Sequence, residues 1–271
     1  MGKKIIALDA GHGINTSGKR VTLNGYEPIR EWWMNDRIAD MVQKDLTENY
    51  ECTVLRVDDT TGEKDIPLST RTKSANNAKA DIYISIHHNA GICGGTGGGT
   101  EVYYYSSNSK RREQAQALYN FITDETKLYG NRCEQVIKKG YTVLKKTNMP
   151  AFLIENGYMD SIADVPVILS ESHARKTANG IVAFLVKELN LEAKAVANKG
   201  TQSIVAVSVY YPKYKGAKTT LYNAMKSLGI DPSYNNRKLI AKANGITAYI
   251  GSASQNTRMY NLLVAGLLKK P

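Results

Sequence analysis

Three of the four histidines in the sequence stand at the ends of strand-like segments. His12 lies between two glycines that follow the largely apolar segment 5–10, and His87 and His88 end an alternating run that begins at residue 82. Neutral imidazole is the most common protein ligand of transition metals, and catalytic zinc sites use three protein ligands and a water. The histidines therefore indicate a metal site, and the pattern asks for a further ligand, for which a carboxylate is the natural candidate.

The local pattern of each histidine leaves an alternative open. His12 taken alone could be a solvated residue in a glycine turn. In the run at residues 82–88, the two-residue period of a strand places His87 and His88 on opposite faces. Periodicity does not choose between these two histidines.

A helix expected at about residues 28–49 supplies a candidate carboxylate. Its apolar stripe consists of Met34, Ile38, Met41, Val42 and Leu46. Three residues before Met34 on the same stripe is Glu31, which is therefore expected on the buried face as a metal ligand. Glu27 and Pro28 form a typical helix start, with proline at the first helical position. Either Glu27 or Glu31 could instead interact only with the helix dipole in the first turn.

Glu155 is the best candidate for a catalytic carboxylate. It follows the apolar residues 151–154 and precedes Asn156 and Gly157. Its apolar neighbours are expected to raise its pKa, which suits acid–base catalysis. The alternative is a strand-end residue that points into water, and we favour the catalytic role.

The segments that carry these residues alternate between strand-like and helix-like patterns, which predicts an α/β fold with a mostly parallel sheet and helices on both faces. Apolar runs of this kind are typical of parallel strands, and ligands of such sheets gather at the carboxyl ends of the strands. Strands are expected at 5–10, 52–57, 82–88, 100–105, 141–144 and 151–154, and helices at 28–49, 67–79, 110–128 and 171–189. His173 is expected on an exposed first turn of the last helix, without a role.

The distribution of charge divides the chain of 271 residues, whose net charge is +11. Residues 201–271 hold ten Lys and Arg against one acid, a net charge of +9, which leaves +2 for residues 1–200. We predict a first domain at 1–190, a polar, alanine-rich linker at 191–202 and a small α+β domain at 203–271. The second domain is expected to contain strands at 204–211 and 246–250 and helices at 219–228, 237–243 and 256–268.

The basic second domain implies an anionic partner: nucleic acid, a membrane surface or an anionic cell-wall polymer. Its seven tyrosines suit both carbohydrate stacking and single-stranded nucleic acid. No segment approaches the roughly 20 apolar residues of a membrane span. The amino terminus has the charge but not the apolar length of a signal peptide, so we expect the protein to stay in the cytoplasm where it is made. The three cysteines lack a CxxC pairing and are expected to be reduced.

Four blocks of the sequence resemble zinc-dependent N-acetylmuramoyl-L-alanine amidases of the Amidase_3 type. They are Asp9-Ala10-Gly11-His12-Gly13, Glu31-Trp32-Trp33-Met34-Asn35 with Ala39, Ser85-Ile86-His87-His88-Asn89, and Leu153-Ile154-Glu155-Asn156-Gly157. The resemblance implies that His12, Glu31 and His87 bind zinc, in preference to Glu27 and His88. It also implies that Glu155 is the catalytic glutamate, and Asn89 is a candidate for substrate binding. The tryptophans after Glu31 and the absence of a second glycine after Gly13 depart from the family pattern and bear on substrate shape.

The resemblance implies a reaction, the hydrolysis of the bond between the muramic lactyl group and L-alanine. Zinc would keep one position open for water, lower the pKa of that water toward about 7 and polarise the scissile carbonyl. Glu155 would take the proton of the water and return it to the departing amine.

The carboxy-terminal region is similar to the small targeting domains of clostridial phage endolysins, around residues 237–244 and 251–266. This similarity implies a phage or prophage endolysin that a holin releases from the host cytoplasm and that acts on peptidoglycan of a Gram-positive, clostridial host. The second domain would bind an anionic wall polymer or glycan, and its small size would suit a homodimer. Nucleic acid and membranes are not expected partners.

Two alternative functions would also explain part of these observations. A zinc peptidase that cuts within the stem peptide would need the same ligands. A nucleic-acid-binding protein with an inactive hydrolase-like domain would account for the basic tail but not for the ordered histidine and glutamate blocks.

Overall fold

The computed structural model describes residues 2–23, 25–26, 28–131, 134–194, 210–246 and 249–271. The chain divides into two units, Met1–Ala195 and Val196–Pro271. Within the described residues, no helix combines the length and the hydropathy needed to cross a membrane.

A six-stranded sheet forms the centre of the first unit. The described residues of this unit form eight strands in all: β1 (Lys4–Ala10), β2 (Arg20–Val21), β3 (Ile29–Arg30), β4 (Cys52–Arg56), β5 (Ile82–Asn89), β6 (Thr100–Tyr104), β7 (Val136–Lys138) and β8 (Ala151–Tyr158). The order in the main sheet is β4-β1-β5-β8-β6-β7, and β2 pairs with β3 separately. Neighbouring strands of the main sheet are parallel except β6 and β8. The predicted mostly parallel sheet is confirmed.

Helices cover both faces of this sheet, as the sequence predicts. They are α1 (Glu31–Asn49), α2 (Leu68–Asn77), α3 (Ser109–Thr126), α4 (Thr142–Lys145), α5 (Val165–Ile168) and α6 (Glu171–Leu189). One apolar core joins α1, α3 and α6 to the sheet, and a second joins α2 and α4 to its other face. In β5 the side chains alternate between these cores, because Ile84 belongs to the first and Tyr83 to the second.

The register of the strands places polar residues side by side on the face that α2 and α4 cover. Asp9 pairs with Ser85, and His87 pairs with Glu155. Glu155 also pairs with Glu101 of β6. These polar residues lie on the same face of their strands as Ala7, Tyr83, Leu153 and Tyr103, which belong to the second core. A band of polar side chains therefore crosses four adjacent strands near their ends.

The predicted start of the first helix is wrong. The helix α1 begins at Glu31, because Ile29 and Arg30 pair with Val21 and Arg20 as a two-stranded ribbon before it. The backbone N–H of Glu31 donates to the carbonyl of Lys19, at 3.1 Å. Pro28 therefore lies outside the helix, and Glu27 lies outside the described residues.

Two further local predictions are wrong. The expected strand at 141–144 is a helical turn, α4, whose Val143 and Leu144 pack against the sheet. A run of four apolar residues has no period that separates a strand from one turn of helix. His173 is not exposed but 3% accessible, because the first turn of α6 packs with this side chain toward the protein interior.

The second unit is helical in its described residues. It contains α7 (Leu221–Ser227), α8 (Tyr234–Ala243) and α9 (Ala253–Ala265), which share an apolar core. Most of the strand expected at 204–211 lies outside the described residues, and Tyr210 forms an isolated β-bridge with Lys269. In the other expected strand, residues 246, 249 and 250 are not in strand conformation and residues 247–248 are outside the described part. The α+β class of this unit remains a prediction.

The described cysteines form no disulfide. Cys52 is buried and Cys93 is exposed, and both are free. Cys133 lies outside the described residues.

Candidate functional site

Three predicted ligands from three different elements meet at the ends of the central strands. His12 follows β1, Glu31 is the first residue of α1, and His87 lies in β5. Their nearest donor atoms all lie within 4.8 Å of one another. The Oε1 atom of Glu31 is 2.9 Å from His87 Nδ1 and 3.3 Å from His12 Nε2. The fold thus brings two imidazoles and one carboxylate to one point.

The glycines around His12 make this approach sterically feasible. A Cβ atom on Gly11 would lie 2.1 Å from Cε1 of His87, so a larger residue would displace the ring. His12 itself adopts a left-handed conformation with φ of 71°. A non-glycine residue in this conformation is uncommon and often marks a functional site. The turn after β1 is therefore shaped to present the imidazole.

Glu31 is held as a carboxylate although it is 1% exposed. Burial alone would raise its pKa, but the adjacent imidazoles of His12 and His87 lower it well below its ordinary value. Asn35 Nδ2 and the backbone N–H of His88 lie 3.4 and 3.3 Å from the same Oε1 atom. A carboxylate that stays ionised in a buried position is a suitable partner for a cation.

The three residues fit a zinc ion. His12 Nε2 is buried and makes no hydrogen bond within the described part of the chain. Imidazole nitrogens and a carboxylate oxygen are common ligands of catalytic zinc, which takes three protein ligands and keeps one position open. A cation between these atoms would satisfy the unpaired nitrogen of His12 and the charge of Glu31.

His88 lies outside this cluster. Its Nδ1 atom is 2.8 Å from Asn35 Oδ1, on the opposite face of β5 from His87. Burial is the main reason why the pKa of His88 falls to about 3, so its ring is neutral. The structure thus groups His87, and not its neighbour, with His12 and Glu31.

Glu155 stands directly beside His87 in the neighbouring strand. Burial raises its pKa to about 8, with His87 acting in the opposite direction and Glu31 adding to the rise. This is the direction that its apolar neighbours in the sequence predict. Its Oε2 atom is buried and has no hydrogen-bond partner among the described residues. Such a carboxyl group can accept and return a proton near neutral pH.

Asn89 forms a hydrogen bond with a carboxylate that the sequence analysis did not identify. Its Nδ2 atom donates to Glu101 Oε2, at 3.1 Å. The hydroxyl of Tyr103 donates to the same oxygen at 2.6 Å, and that of Tyr158 donates to Oε1 at 2.9 Å. An acidic residue inside an otherwise apolar strand is the sequence signal that could have identified Glu101. The substrate-binding role of Asn89 stays a prediction.

Lys19 is a second residue without a role in the sequence analysis. Its Nζ atom lies 3.6 Å from Glu31 Oε2, and its side chain is 41% exposed. The segment between His12 and α1 thus places a cation at the open side of the cluster. Its polar, glycine-containing sequence carries no periodic signal, so only the folded structure reveals this position.

Comparisons with known proteins match the same part of the chain. The sequence profile of the N-acetylmuramoyl-L-alanine amidase family, Amidase_3, matches residues 6–187. An endolysin of Bacillus phage SPP1 is 32% identical over 195 residues, which cover 71% of this chain and 68% of the phage protein. A sporulation-specific N-acetylmuramoyl-L-alanine amidase of Bacillus subtilis strain 168 is 30% identical over 187 residues, 69% of each chain.

A solved structure agrees with these sequence matches. The crystal structure of an N-acetylmuramoyl-L-alanine amidase from Clostridium difficile 630 aligns with a TM-score of 0.63 and 28% identity. The alignment covers 70% of this chain and 98% of the crystallised chain. The six-stranded sheet and its helices therefore have a counterpart in an amidase of known structure.

Proposed function

The chain belongs to the N-acetylmuramoyl-L-alanine amidase family and is a peptidoglycan amidase, and from this premise we propose that it is zinc-dependent and lyses the wall of a Gram-positive host as a phage or prophage endolysin. The convergence of His12, Glu31 and His87 beside Glu155 is the observation that carries the proposal. The scissile bond joins the lactyl carbonyl of muramic acid to the nitrogen of L-alanine.

His12, Glu31 and His87 would hold the zinc ion. When bound, zinc supplies Lewis-acid chemistry toward water and the scissile carbonyl. Glu31 contributes the negative charge, and the two histidines contribute neutral nitrogen atoms. Gly11 supports the site by leaving room for the ring of His87.

Glu155 would move the proton. In its ionised form it removes a proton from the attacking water, and in its protonated form it gives that proton to the departing amine. An amine leaving group needs this proton because an amide anion is too basic to depart at neutral pH. A pKa raised by burial to about 8 makes both forms of Glu155 accessible near neutrality.

Product analysis tests this reaction. Purified Gram-positive walls would be incubated with the protein, with and without a chelator, and the new chain ends identified. We expect free L-alanine amino termini on intact stem peptides, and loss of activity with the chelator that added zinc reverses. New termini inside the stem peptide would support the zinc peptidase instead.

The second unit would hold the enzyme on the wall. Residues 201–271 carry a net charge of +9 and seven tyrosines, which suits an anionic wall polymer or glycan. The similarity to an endolysin supports synthesis in a host cytoplasm and access to the wall after holin release. We propose residues 1–190 as the catalytic domain, 191–202 as a linker and 203–271 as the wall-binding domain, which could pair with a second copy.

Binding of the full chain to walls tests this division. A fluorescent Glu155→Gln protein should bind clostridial walls, and a chain that ends at Lys194 should bind them much less. Sedimentation at several concentrations reports whether the full chain dimerises and the shortened chain does not. Salt-sensitive binding to DNA, without binding to walls, would favour the nucleic-acid function.

A further inference from the structure

We propose that Arg71 is the positioning residue that fixes both histidine ligands, one through its own carbonyl and the other through an Asp9–Ser85 relay. The inference rests on the proposed zinc site and assigns a function to residues outside it. Arg71, in α2, does not contact the ligand atoms themselves, and it lies under the turn that follows β1.

Arg71 uses all of its hydrogen-bond donors. A guanidinium has five N–H groups in a fixed planar geometry. Arg71 is 1% exposed, and its side chain makes five hydrogen bonds or ion pairs. Its partners are the carbonyls of Ile66 (2.8 Å), Ala10 (2.8 Å) and His12 (3.0 Å) and the carboxylates of Asp65 (2.9 Å) and Asp9. Every donor thus has a partner, and the guanidinium ties the end of β1 and the turn after it to the segment that precedes α2.

The first branch of this network holds His12. Arg71 Nη2 donates to the backbone carbonyl of His12, the residue in the left-handed conformation. Asp65, which Arg71 also binds, accepts a hydrogen bond from the hydroxyl of Thr16 at 2.8 Å. Thr16 Oγ1 in turn accepts the N–H of Gly13 at 2.9 Å. The backbone is thus fixed on both sides of His12, which sets the position of its Nε2 atom.

The second branch holds Nε2 of His87 in place. Asp9 is paired with Arg71, and its Oδ2 atom accepts the hydroxyls of Tyr83 and Ser85, both at 2.8 Å. The hydroxyl hydrogen of Ser85 therefore points to Asp9, and its oxygen is left to accept. This oxygen lies 3.1 Å from His87 Nε2, so Nε2 carries the proton. Because Nε2 is held by Ser85, Nδ1 is the nitrogen left to bind a metal ion, and it lies 2.9 Å from Glu31 Oε1.

Lysine cannot replace arginine in this position. An ammonium group has three donors on a flexible stem and cannot bind these five acceptors together. Arg56 provides a matched control, since it is also buried and bound by carboxylates, those of Asp36, Asp40 and Asp58. Its partners are distinct from those of Arg71, and none of them is a metal ligand.

The experiment compares Arg71→Lys with Arg56→Lys in the full chain, with zinc affinity measured by competition with a chromophoric chelator. We expect Arg71→Lys to bind zinc about 10- to 100-fold more weakly than the parent protein, the range seen when residues behind metal ligands are changed. Arg56→Lys should stay within about threefold of the parent, although both variants lose a buried ion-pair network.

Ser85→Ala tests the second branch with a smaller change. It also replaces Arg71→Lys as the test of the proposal if that variant does not fold. It removes one buried oxygen and leaves the pair of Arg71 and Asp9 in place. We expect about tenfold weaker zinc binding. We also expect the proton on His87 Nε2 in the metal-free protein to exchange faster with water, as ¹H–¹⁵N NMR would show, because Ser85 Oγ no longer accepts it.

The outcomes separate this inference from the proposed function. Equal zinc affinity of parent, Arg71→Lys and Ser85→Ala, together with unchanged exchange of the His87 Nε2 proton, would overturn the positioning role. If the parent protein binds no zinc, the zinc proposal fails, and the exchange rate of the His87 Nε2 proton in metal-free protein still decides the relay from Asp9 to His87.

Discussion

The two units of the chain differ in where they place polar side chains. The first unit buries charged groups such as Asp9, Glu31, Arg71 and Glu101, each at most 1% exposed. In the described part of the second unit, every buried residue is apolar, and the charges lie on the surface. Burying polar groups is costly unless each is paired, but it fixes them in place. The first unit therefore holds its polar groups rigidly at one point, whereas the second unit exposes its charges, as the proposed wall-binding role requires.

Removal of a proposed metal ligand should have the largest effect on the activity of the first unit. We expect His87→Ala to lose zinc and cell-wall hydrolysis together, since one of three ligands disappears. His88→Ala is the matched control, because His88 binds Asn35 and lies outside the ligand cluster. Metal analysis and turnover of wall fragments provide the two measurements. Zinc retained in His87→Ala but lost in His88→Ala would contradict the assignment.

A smaller effect is expected for Glu155→Gln, which separates proton transfer from metal binding. The amide keeps the size of the side chain but cannot act as a base. We expect a rate lower by about 10²- to 10⁴-fold, with zinc content and folding unchanged. Turnover of soluble muropeptide gives the rate, and near-normal turnover would remove Glu155 from the mechanism. Lower zinc content in this variant would show instead that Glu155 contributes to the metal site.

The sequence predicted the parts of this site that depend on local patterns. His12, His87 and Glu155 each follow an apolar run that forms a strand, and strand ends meet at one edge of a parallel sheet. The network around Arg71 is not visible in the same way, because Arg71 and Asp9 are 62 residues apart and meet only after α2 packs on the sheet. Only the folded structure shows that they are partners.

Local signals were misleading where a tertiary contact overrode them. Pro28 has the sequence position of a helix start, but pairing of Ile29 with Val21 delays the helix to Glu31. The polar surroundings of His173 in the sequence indicate an exposed turn, yet the folded chain buries it. In both cases the deciding partner lies in another segment, which periodicity within one segment does not reveal.

Acid should destabilise the first unit through its buried histidines. Burial lowers the pKa of His173 from 6.5 to about 4, with Arg37 and Lys176 adding to the effect and the backbone of Asn156 opposing it. Below pH 6.5 the unfolded state therefore takes up a proton that the folded state does not. The free energy of unfolding should fall as the pH decreases toward 4, by up to about 3 kcal/mol for this group.

Tryptophan fluorescence can follow this loss, because both tryptophans, Trp32 and Trp33, lie in the first unit. Urea unfolding would be measured between pH 7.5 and 5. His173→Gln should reduce the dependence on pH, while His88 retains part of it. The second unit holds no histidine and one acid, Asp231, so its stability should hardly change over this range. An equal slope for parent and His173→Gln would exclude His173 as the cause.

The smallest effect tests whether the two units are stabilised independently. Ser252 caps α9 in a capping box, in which its Oγ accepts the N–H of Gln255 and the Gln255 side chain accepts the N–H of Ser252. Ser170 caps α6 in the first unit by accepting the N–H of His173. Either serine replaced by alanine should cost about 1 kcal/mol of helix stability.

The two alanine variants should differ in where this loss appears. Ser170→Ala should lower the urea midpoint seen by tryptophan fluorescence, because α6 belongs to the core that contains the sheet. Ser252→Ala should leave that midpoint unchanged and instead speed amide hydrogen exchange in α9, with normal cleavage of soluble muropeptide. If Ser252→Ala lowered the fluorescence midpoint as much as Ser170→Ala, the two units would unfold together. The two units would then share one stability, and the contrast between them would be limited to the placement of charged side chains.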